Sequence, residues 1–423
     1  MRFLIVLGVY FSGTLLSFYL FPFAASLYLW SNIFRPLQFA HRPDSLPVAK
    51  YVIFILFFSY ILNMIKRNFS PKWNIFIFFN ICMLLWIYIA AENSPFRPVS
   101  IGHLMTLLKY IIPILFISSG LRSERDVKIV LATLVFSIGI WGAQGGFYSI
   151  LHGVTIDMGI PGGLLEERNY LSAVMLSITP LMIYFLMNYN WKYKFWVRLL
   201  IGFMTITNIA GVFLSNSRGA TIGVGGVIVS YILMLSKNRV RDFIVLFVFV
   251  GIILIFLPKE YYDRVKTIRF SKTQTESSAQ DRFELAQAAV WVTMENPVFG
   301  IGPGCWLLRE KKFTFIPHYQ HSIWLVLSTE YGVPGLLMYL FIIFYTFKRI
   351  YNVRNISLKI NDKDSYYLSS CLILSLIGVL ICYSFLNHPF GEYLWTLVAC
   401  SNTYYVLFHE KLYAQYAENV EDS

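Results

Sequence analysis

The sequence predicts an all-α, polytopic membrane protein, and three observations lead there. Of 423 residues, 57% are hydrophobic and only 14% are charged, too apolar a balance for a water-soluble globule of that length. The apolar residues gather in runs long enough to cross a bilayer, which takes roughly 20 residues per helix. The Lys and Arg residues behind the formal charge of +12 fall mostly in short segments between those runs. That placement reads as a topology signal, and no nucleic-acid partner is expected.

Taken in order, the runs are Phe3–Leu20, Val48–Ile65, Trp73–Ala91, Ile101–Ser119, Ile129–Tyr148, Tyr170–Met187, Leu199–Leu214, Thr221–Leu235, Phe243–Leu257, Ile323–Thr346, Tyr366–Phe385 and Tyr393–Phe408, about twelve transmembrane helices. Phe3–Leu20 follows Met-Arg as a signal peptide would, but further apolar sequence follows at once, so it is expected to stay as the first span. The piece Phe23–Phe34, after Pro22, is shorter and more aromatic and reads as interfacial or re-entrant. An aromatic content of 18% suits belts at both membrane interfaces. Four of the five cysteines lie in apolar runs and only Cys305 in a long polar one, so no disulfide framework or metal-ligand spacing emerges.

Basic clusters at Lys66/Arg67/Lys72, Arg122/Arg125/Lys128, Lys192/Lys194/Arg198, Lys237/Arg239/Arg241 and Lys348/Arg349/Arg354/Lys359/Lys363 occupy every second loop and make those loops cytoplasmic. Both termini then fall on the cytoplasmic side of the membrane, provided that Phe23–Phe34 does not cross. The first outer loop, with Arg35, Arg42 and Lys50, goes against the charge rule. The expected organisation is N-terminal membrane helices over 1–257, a periplasmic loop over 258–320, C-terminal membrane helices over 321–409 and a cytoplasmic tail over 410–423.

The long outer loop begins Ser/Thr/Gln-rich. From Ser278 the pattern turns helical: Ser278 and Asp281 resemble a capping box, and Phe283, Ala286, Val290 and Met294 recur at helical spacing beside Trp291. An amphipathic helix over about Gln280–Met294, resting near the membrane surface, follows. Glu295-Asn296-Pro297 ends it, and Gly300-Ile-Gly-Pro-Gly304 reads as a tight turn, lacking the Lys-Ser/Thr and preceding strand of a phosphate loop.

Side chains suited to a phosphorylated substrate gather at the outer face. Arg168 opens one membrane helix, Arg218 opens another within Asn216-Ser-Arg-Gly-Ala220, Arg282 lies in the outer loop, and His321 stands at the mouth of the tenth helix with His318 three residues before it. A guanidinium stays charged and binds two phosphate oxygens at once. Arginines at helix ends also snorkel to headgroups, but the small residues around Arg218 favour an enclosed pocket. Glu330, deeper in the same helix as His321, is costly in lipid and so is expected to face protein or a wet cavity, as is Lys109. Asp362-Lys-Asp364 sits in a basic loop and reads as a solvated charge run.

The order of these pieces resembles the bacterial O-antigen ligase and polymerase superfamily of membrane glycosyltransferases. The likeness rests on Asn216-Ser217-Arg218-Gly219 at a helix start, Arg282 in a large outer loop, Trp291…Asn296-Pro297-Val-Phe-Gly300-Ile-Gly-Pro-Gly304, and His321-Ser-Ile-Trp-Leu…Glu330-Tyr-Gly332-Val-Pro-Gly335. Glu167-Arg168-Asn169 is similar to an earlier, looser family motif. Family members typically carry His-Asn where this chain has His321-Ser322, which leaves the orientation of the His321 ring open. The Trp30–Phe39 region also looks like the O-glycosylation ligases associated with exosortase systems.

The resemblance implies transfer of a glycan from a polyprenyl diphosphate carrier to a hydroxyl of a lipid, protein or glycan acceptor at the outer face, among membrane lipids, with inversion and with no metal or other cofactor. His321 is then the base, Arg218 and Arg282 hold the diphosphate, and Arg168, Glu330 and His318 contact substrate or brace the site. A polymerase of carrier-linked repeats shares these needs. A secondary transporter or lipid flippase is the alternative of a different class, although no two-fold repeat of the transporter kind is visible.

Overall fold

A computed structural model describes residues 2–40, 48–67, 71–156, 164–189, 194–236, 238–255, 277–310 and 319–421. Among the described residues every apolar run becomes a helix. The first half comprises α1 (Arg2–Tyr19), α2 (Phe21–Leu29, continued by a π-helical turn at Trp30–Phe34), α3 (Pro36–Phe39), α4 (Val48–Arg67), α5 (Ile75–Glu92), α6 (Arg97–Gly120) and α7 (Glu124–His152). The second comprises α8 (Arg168–Met187), α9 (Lys194–Leu214), α10 (Arg218–Met234), α11 (Arg239–Ile255), α12 (Ser277–Glu295), α13 (Trp306–Glu310), α14 (Ile323–Lys359), α15 (Lys363–Tyr383) and α16 (Glu392–Glu421). Among the described residues nine of these are long and apolar enough to cross a membrane, and α10 is apolar but shorter.

The helix ends follow local chemistry. Ser123 and Asp126 form a reciprocal capping box that starts α7, and Gly153, in the left-handed region at φ 62°, stops it. Asp362 caps α15 through the Ser365 backbone N–H, while Asp364 accepts from Lys128 Nζ and from Tyr184 Oη at 2.8 Å. The two acids thus tie helices together at the basic end of the bundle instead of forming the solvated charge run that the sequence suggested, because Lys128, Tyr184 and Lys411 reach them from neighbouring helices.

Helix α8 is the core of the bundle, buried along nearly its whole length. It packs against α7, α9 and α15, and polar side chains sew the contacts: Ser177 Oγ donates to Ser375 O at 2.7 Å and Asn208 Nδ2 to Met175 O at 2.7 Å. In hydrocarbon each such bond contributes about 0.6 kcal/mol, and tight packing through small residues contributes the rest.

The Phe23–Phe34 expectation needs correction, because the segment is neither interfacial nor a shallow loop. Phe21 fills the space that a Cβ on Gly120 would take at one end of α6, Tyr28 Oη reaches Lys109 O at 3.5 Å midway, and Asn32 to Arg35 share a cavity with His103 and Thr106 near the other end. Helix α2 with its π turn therefore runs the length of α6, buried against α1, α4 and α7. Helix α1 returns beside it, with Tyr10 against Trp30 at 5.2 Å and the Arg2 guanidinium 5.4 Å from the Phe39 ring.

Arg2 consequently lies at the His103 end of the bundle, while the last helix meets Glu124 and Asp362 through Lys411 at the other. Arg2 and Lys411 thus sit at opposite ends of the bundle, an arrangement that bears directly on the expectation of two cytoplasmic termini. Burial drives the difference: seven of nine α2 residues are buried, which an interfacial helix could not achieve.

Helix α12 forms where the amphipathic helix is expected but turns its other face inward. It is helical from Ser277, so Ser278 is not its cap. Leu285, Ala288, Ala289 and Val292 pack with Ile301, Cys305 and Trp306, whereas Phe283, Trp291 and Met294 are 65%, 65% and 69% exposed. The two alanines permit close approach to α14, where Thr293 Oγ1 donates to Ser328 Oγ at 3.1 Å. The aromatic stripe is left facing outward, as a membrane-contacting face requires.

Candidate active site

The site is built around a break in α14. Pro334 has no N–H to offer Glu330 O, and Gly332, at φ 71° and ψ 176°, leaves the helix altogether. Carbonyls normally bonded within the helix are therefore free, and a buried orphan carbonyl is expensive. The Gly300–Gly304 turn supplies the missing donors: Ile301 N–H bonds Thr329 O at 2.8 Å and Gly302 N–H bonds Glu330 O at 3.1 Å. Trp86 Nε1–H takes Tyr331 O at 2.9 Å, and Val333 N–H turns instead to Pro297 O at 2.8 Å.

The Glu330 side chain completes the joint. Buried at 6% exposure, its carboxylate accepts from Gly304 N–H at 2.8 Å and from Trp306 N–H at 3.3 Å. The outer segment is also held from behind, with Ser94 Oγ donating to Ile301 O at 2.6 Å and Ser100 Oγ 3.0 Å from Cys305 Sγ. Glu-x-Gly-x-Pro in α14 and Gly-Ile-Gly-Pro-Gly in the loop are thus two halves of one junction.

Three helix starts meet at a second hub, the turn over residues 384–391. Tyr170, one turn into the Arg168 helix, donates from Oη to Asn387 Oδ1 at 2.7 Å and accepts from Asn387 N–H at 2.8 Å. Gly219, beside Arg218, packs so closely on Phe385 that a Cβ would sit 3.2 Å from its ring, and Cys382 Sγ contacts Gly219 O at 3.7 Å. Trp324, one turn past His321, donates from Nε1 to Ser384 Oγ at 2.8 Å. Arg168, Arg218 and His321 therefore stand around one turn at one end of the bundle. All three are half-buried.

Arg218 itself follows Asn216, which holds the left-handed region at φ 53°, a conformation that Asn tolerates better than most residues. Ser217 then caps α10 by accepting from Ala220 N–H. Arg282 lies early in α12 and is exposed. Because Thr293 pairs with Ser328 and Pro297 with Val333, α12 and α14 run in the same sense, which sets Arg282 toward the His321 end. His318 lies outside the described residues. Lys109 is exposed and does not line the cavity described next.

Beside the hub lies a cavity of about 490 Å³, within the usual range for small-molecule sites. Glu330, Trp306 and Gln320, the neighbour of His321, form one wall, and Leu165, ahead of Arg168, forms part of another. Arg35, His103, His388 and Glu392 also face it, and none of these four stood out in the sequence as a site residue. The signal for His388 was faint, a lone histidine in an aromatic turn. The His388 ring is accessible from the cavity and rests 5.5 Å from Tyr170. Enclosure by protein, with His103 close by, pushes its pKa down to about 4.

Comparison with known proteins places a family on part of this architecture. The O-antigen ligase family model matches residues 203–340, which takes in Arg218, Arg282, His321, Glu330 and the junction at Gly332. The chain thus carries an O-antigen ligase domain, and the resemblance drawn from its motifs holds. A second model, for a family of unknown function, matches residues 1–190. No curated protein matches the chain.

Proposed function

We propose that this protein is a glycosyltransferase that moves a glycan from a polyprenyl diphosphate carrier to an acceptor hydroxyl, at the end of the bundle opposite its basic clusters. The observation that carries this reading is the convergence of the Arg168, Arg218 and His321 helix starts on residues 384–391, beside a cavity bounded by Glu330.

In the proposed step the acceptor oxygen attacks the anomeric carbon and His321 takes the hydroxyl proton. The bond from that carbon to the diphosphate oxygen breaks, and the configuration inverts. Arg218 and Arg282, with Arg168 behind them, stabilise the charge that grows on the departing diphosphate, which fixed guanidinium groups do well in a site shielded from water. They fill the part that a divalent cation plays elsewhere, so turnover should withstand a chelator. Glu330 acts at one remove, by fixing the Gly304–Trp306 backbone.

The acceptor separates a ligase from a polymerase. Mass analysis of surface glycolipids, glycoproteins and carrier-linked glycans from cells with and without the protein tests the reading. Loss of one glycosylated species with accumulation of its carrier-linked glycan is expected. An unchanged glycan profile, or a missing transported solute with no missing covalent product, would count against it.

A further inference from the structure

The structure assigns a task to the N-terminal region of unknown function: we propose that it builds the pocket that grips the saccharide of the carrier-linked donor, so that sugar selectivity resides largely outside the O-antigen ligase domain. This rests on the transferase reading above and deepens it.

Five observations support it. The cavity wall is divided across the family boundary, with Asn32, Arg35, His103, Thr106 and Tyr110 supplied by residues 1–190. The segment presenting Asn32 and Arg35 is irregular where it meets the cavity: Trp30–Phe34 is a π turn and Arg35 is left-handed at φ 52°. Such departures are unfavourable in themselves and gather at functional sites. They are held in place from outside, by Trp141 Nε1–H on Phe34 O at 2.6 Å and by Tyr28 Oη–H on Glu392 Oε1 at 2.8 Å.

The lining also has the chemistry of a polyol site. It offers three amides, two imidazoles, a threonine hydroxyl and tyrosine hydroxyls interleaved with apolar carbon, a mixture that suits a sugar's hydroxyl groups and the apolar carbons between them. Tyr383 Oη is buried at the wall with no hydrogen-bond partner among the described residues, an acceptor and donor available to a ligand. In charge the lining is balanced, with Arg35 against Glu392 and the Glu330 carboxylate already committed to Gly304 and Trp306. A diphosphate would want the arginines of the hub instead.

The test uses the full chain in lipid nanodiscs, offered the carrier-linked lipids extracted from cells that lack the protein, with retained species identified by mass. Wild type should retain both bare polyprenyl diphosphate and its glycan-bearing form. Thr106→Trp, which fills the cavity from the N-terminal wall, and the milder Asn32→Ala should keep the bare carrier yet lower the ratio of glycan-bearing to bare carrier by about tenfold, the scale of a lost hydrogen-bonded contact. Arg218→Ala should weaken retention of both. An unchanged ratio in Thr106→Trp and Asn32→Ala, with Arg218→Ala still weak, would overturn the saccharide pocket alone. Equal loss of bare carrier in the two cavity variants would overturn it in favour of a diphosphate site. Undiminished carrier retention in Arg218→Ala would overturn the transferase reading beneath it.

Discussion

Gly332 shows how much of this site hangs on single residues. Its φ of 71° is a conformation that side chains strain to adopt, and a Cβ there would stand 1.9 Å from Val298 O. Gly304 is under a similar constraint, since a Cβ would meet the His103 ring at 2.7 Å. Gly332→Ala should therefore undock the Gly300–Trp306 segment, and limited proteolysis should cut near residue 300 in the variant while sparing wild type. Glu330 offers a graded comparison. Glu330→Gln keeps one acceptor oxygen for the two backbone donors and should retain part of the activity. Glu330→Ala leaves both donors buried and unpaired, which costs about 1–3 kcal/mol for each, and should lose nearly all of it.

His388 makes a pH prediction with a definite sign. Its pKa is lowered from 6.5 to about 4 by enclosure and the neighbouring His103. Between those values the unfolded chain binds a proton that the folded one does not, so this residue lowers stability as pH falls from 6.5 toward 4. His103, which acts on it directly, lines the same cavity with Arg35, Glu330 and Glu392, and Tyr170 abuts it. All of these groups are common to wild type and variant, so the difference between the two proteins carries the information. The melting temperature of His388→Gln should fall less steeply than that of wild type across pH 6.5 to 4, and parallel curves would remove the assignment.

At the scale of elements, α12 and α2 show what periodicity conveys and what it omits. Spacing placed α12 within a few residues of its observed bounds, but both of its faces carry apolar residues, and the choice between them was made by the partner. Ala288 and Ala289 admit a neighbouring backbone where Phe283 and Trp291 would not. Trp291→Ala should shift stability by no more than about 0.5 kcal/mol, read from thermal unfolding in detergent. Ala289→Leu, which overfills the contact with α14, should cost about 1–3 kcal/mol. For α2 the deciding information was again tertiary: nine residues and a π turn are too short to announce a core helix, and only the groove between α1, α4, α6 and α7 makes one of them.

Considered as a whole molecule, the helices and the family motifs were legible because hydropathy and local backbone chemistry are written along the chain. The Arg218 and His321 helix starts were readable as helix starts, and their meeting was an inference from equal depth. The cavity was not legible. Arg35, His103 and His388 are single residues in unrelated runs, brought together by the fold. The parity of the crossings depended in the same way on one short segment. With the basic end taken as cytoplasmic, a cysteine introduced as Arg2→Cys in a chain freed of its native cysteines should react with a membrane-impermeant maleimide from outside. One at Glu410 should not react until the membrane is opened. Equal protection of both would place both termini in the cytoplasm.

The most direct measurement is single-turnover transfer by protein in lipid vesicles carrying the polyprenyl diphosphate glycan and its acceptor, with Arg218→Ala and His321→Ala beside wild type. Removing the base should slow transfer by about 10²–10⁴-fold, and removing the guanidinium should slow it comparably, with melting temperatures unchanged and with no effect of chelator. Wild-type rates in either variant, or transfer abolished by chelator alone, would contradict the account.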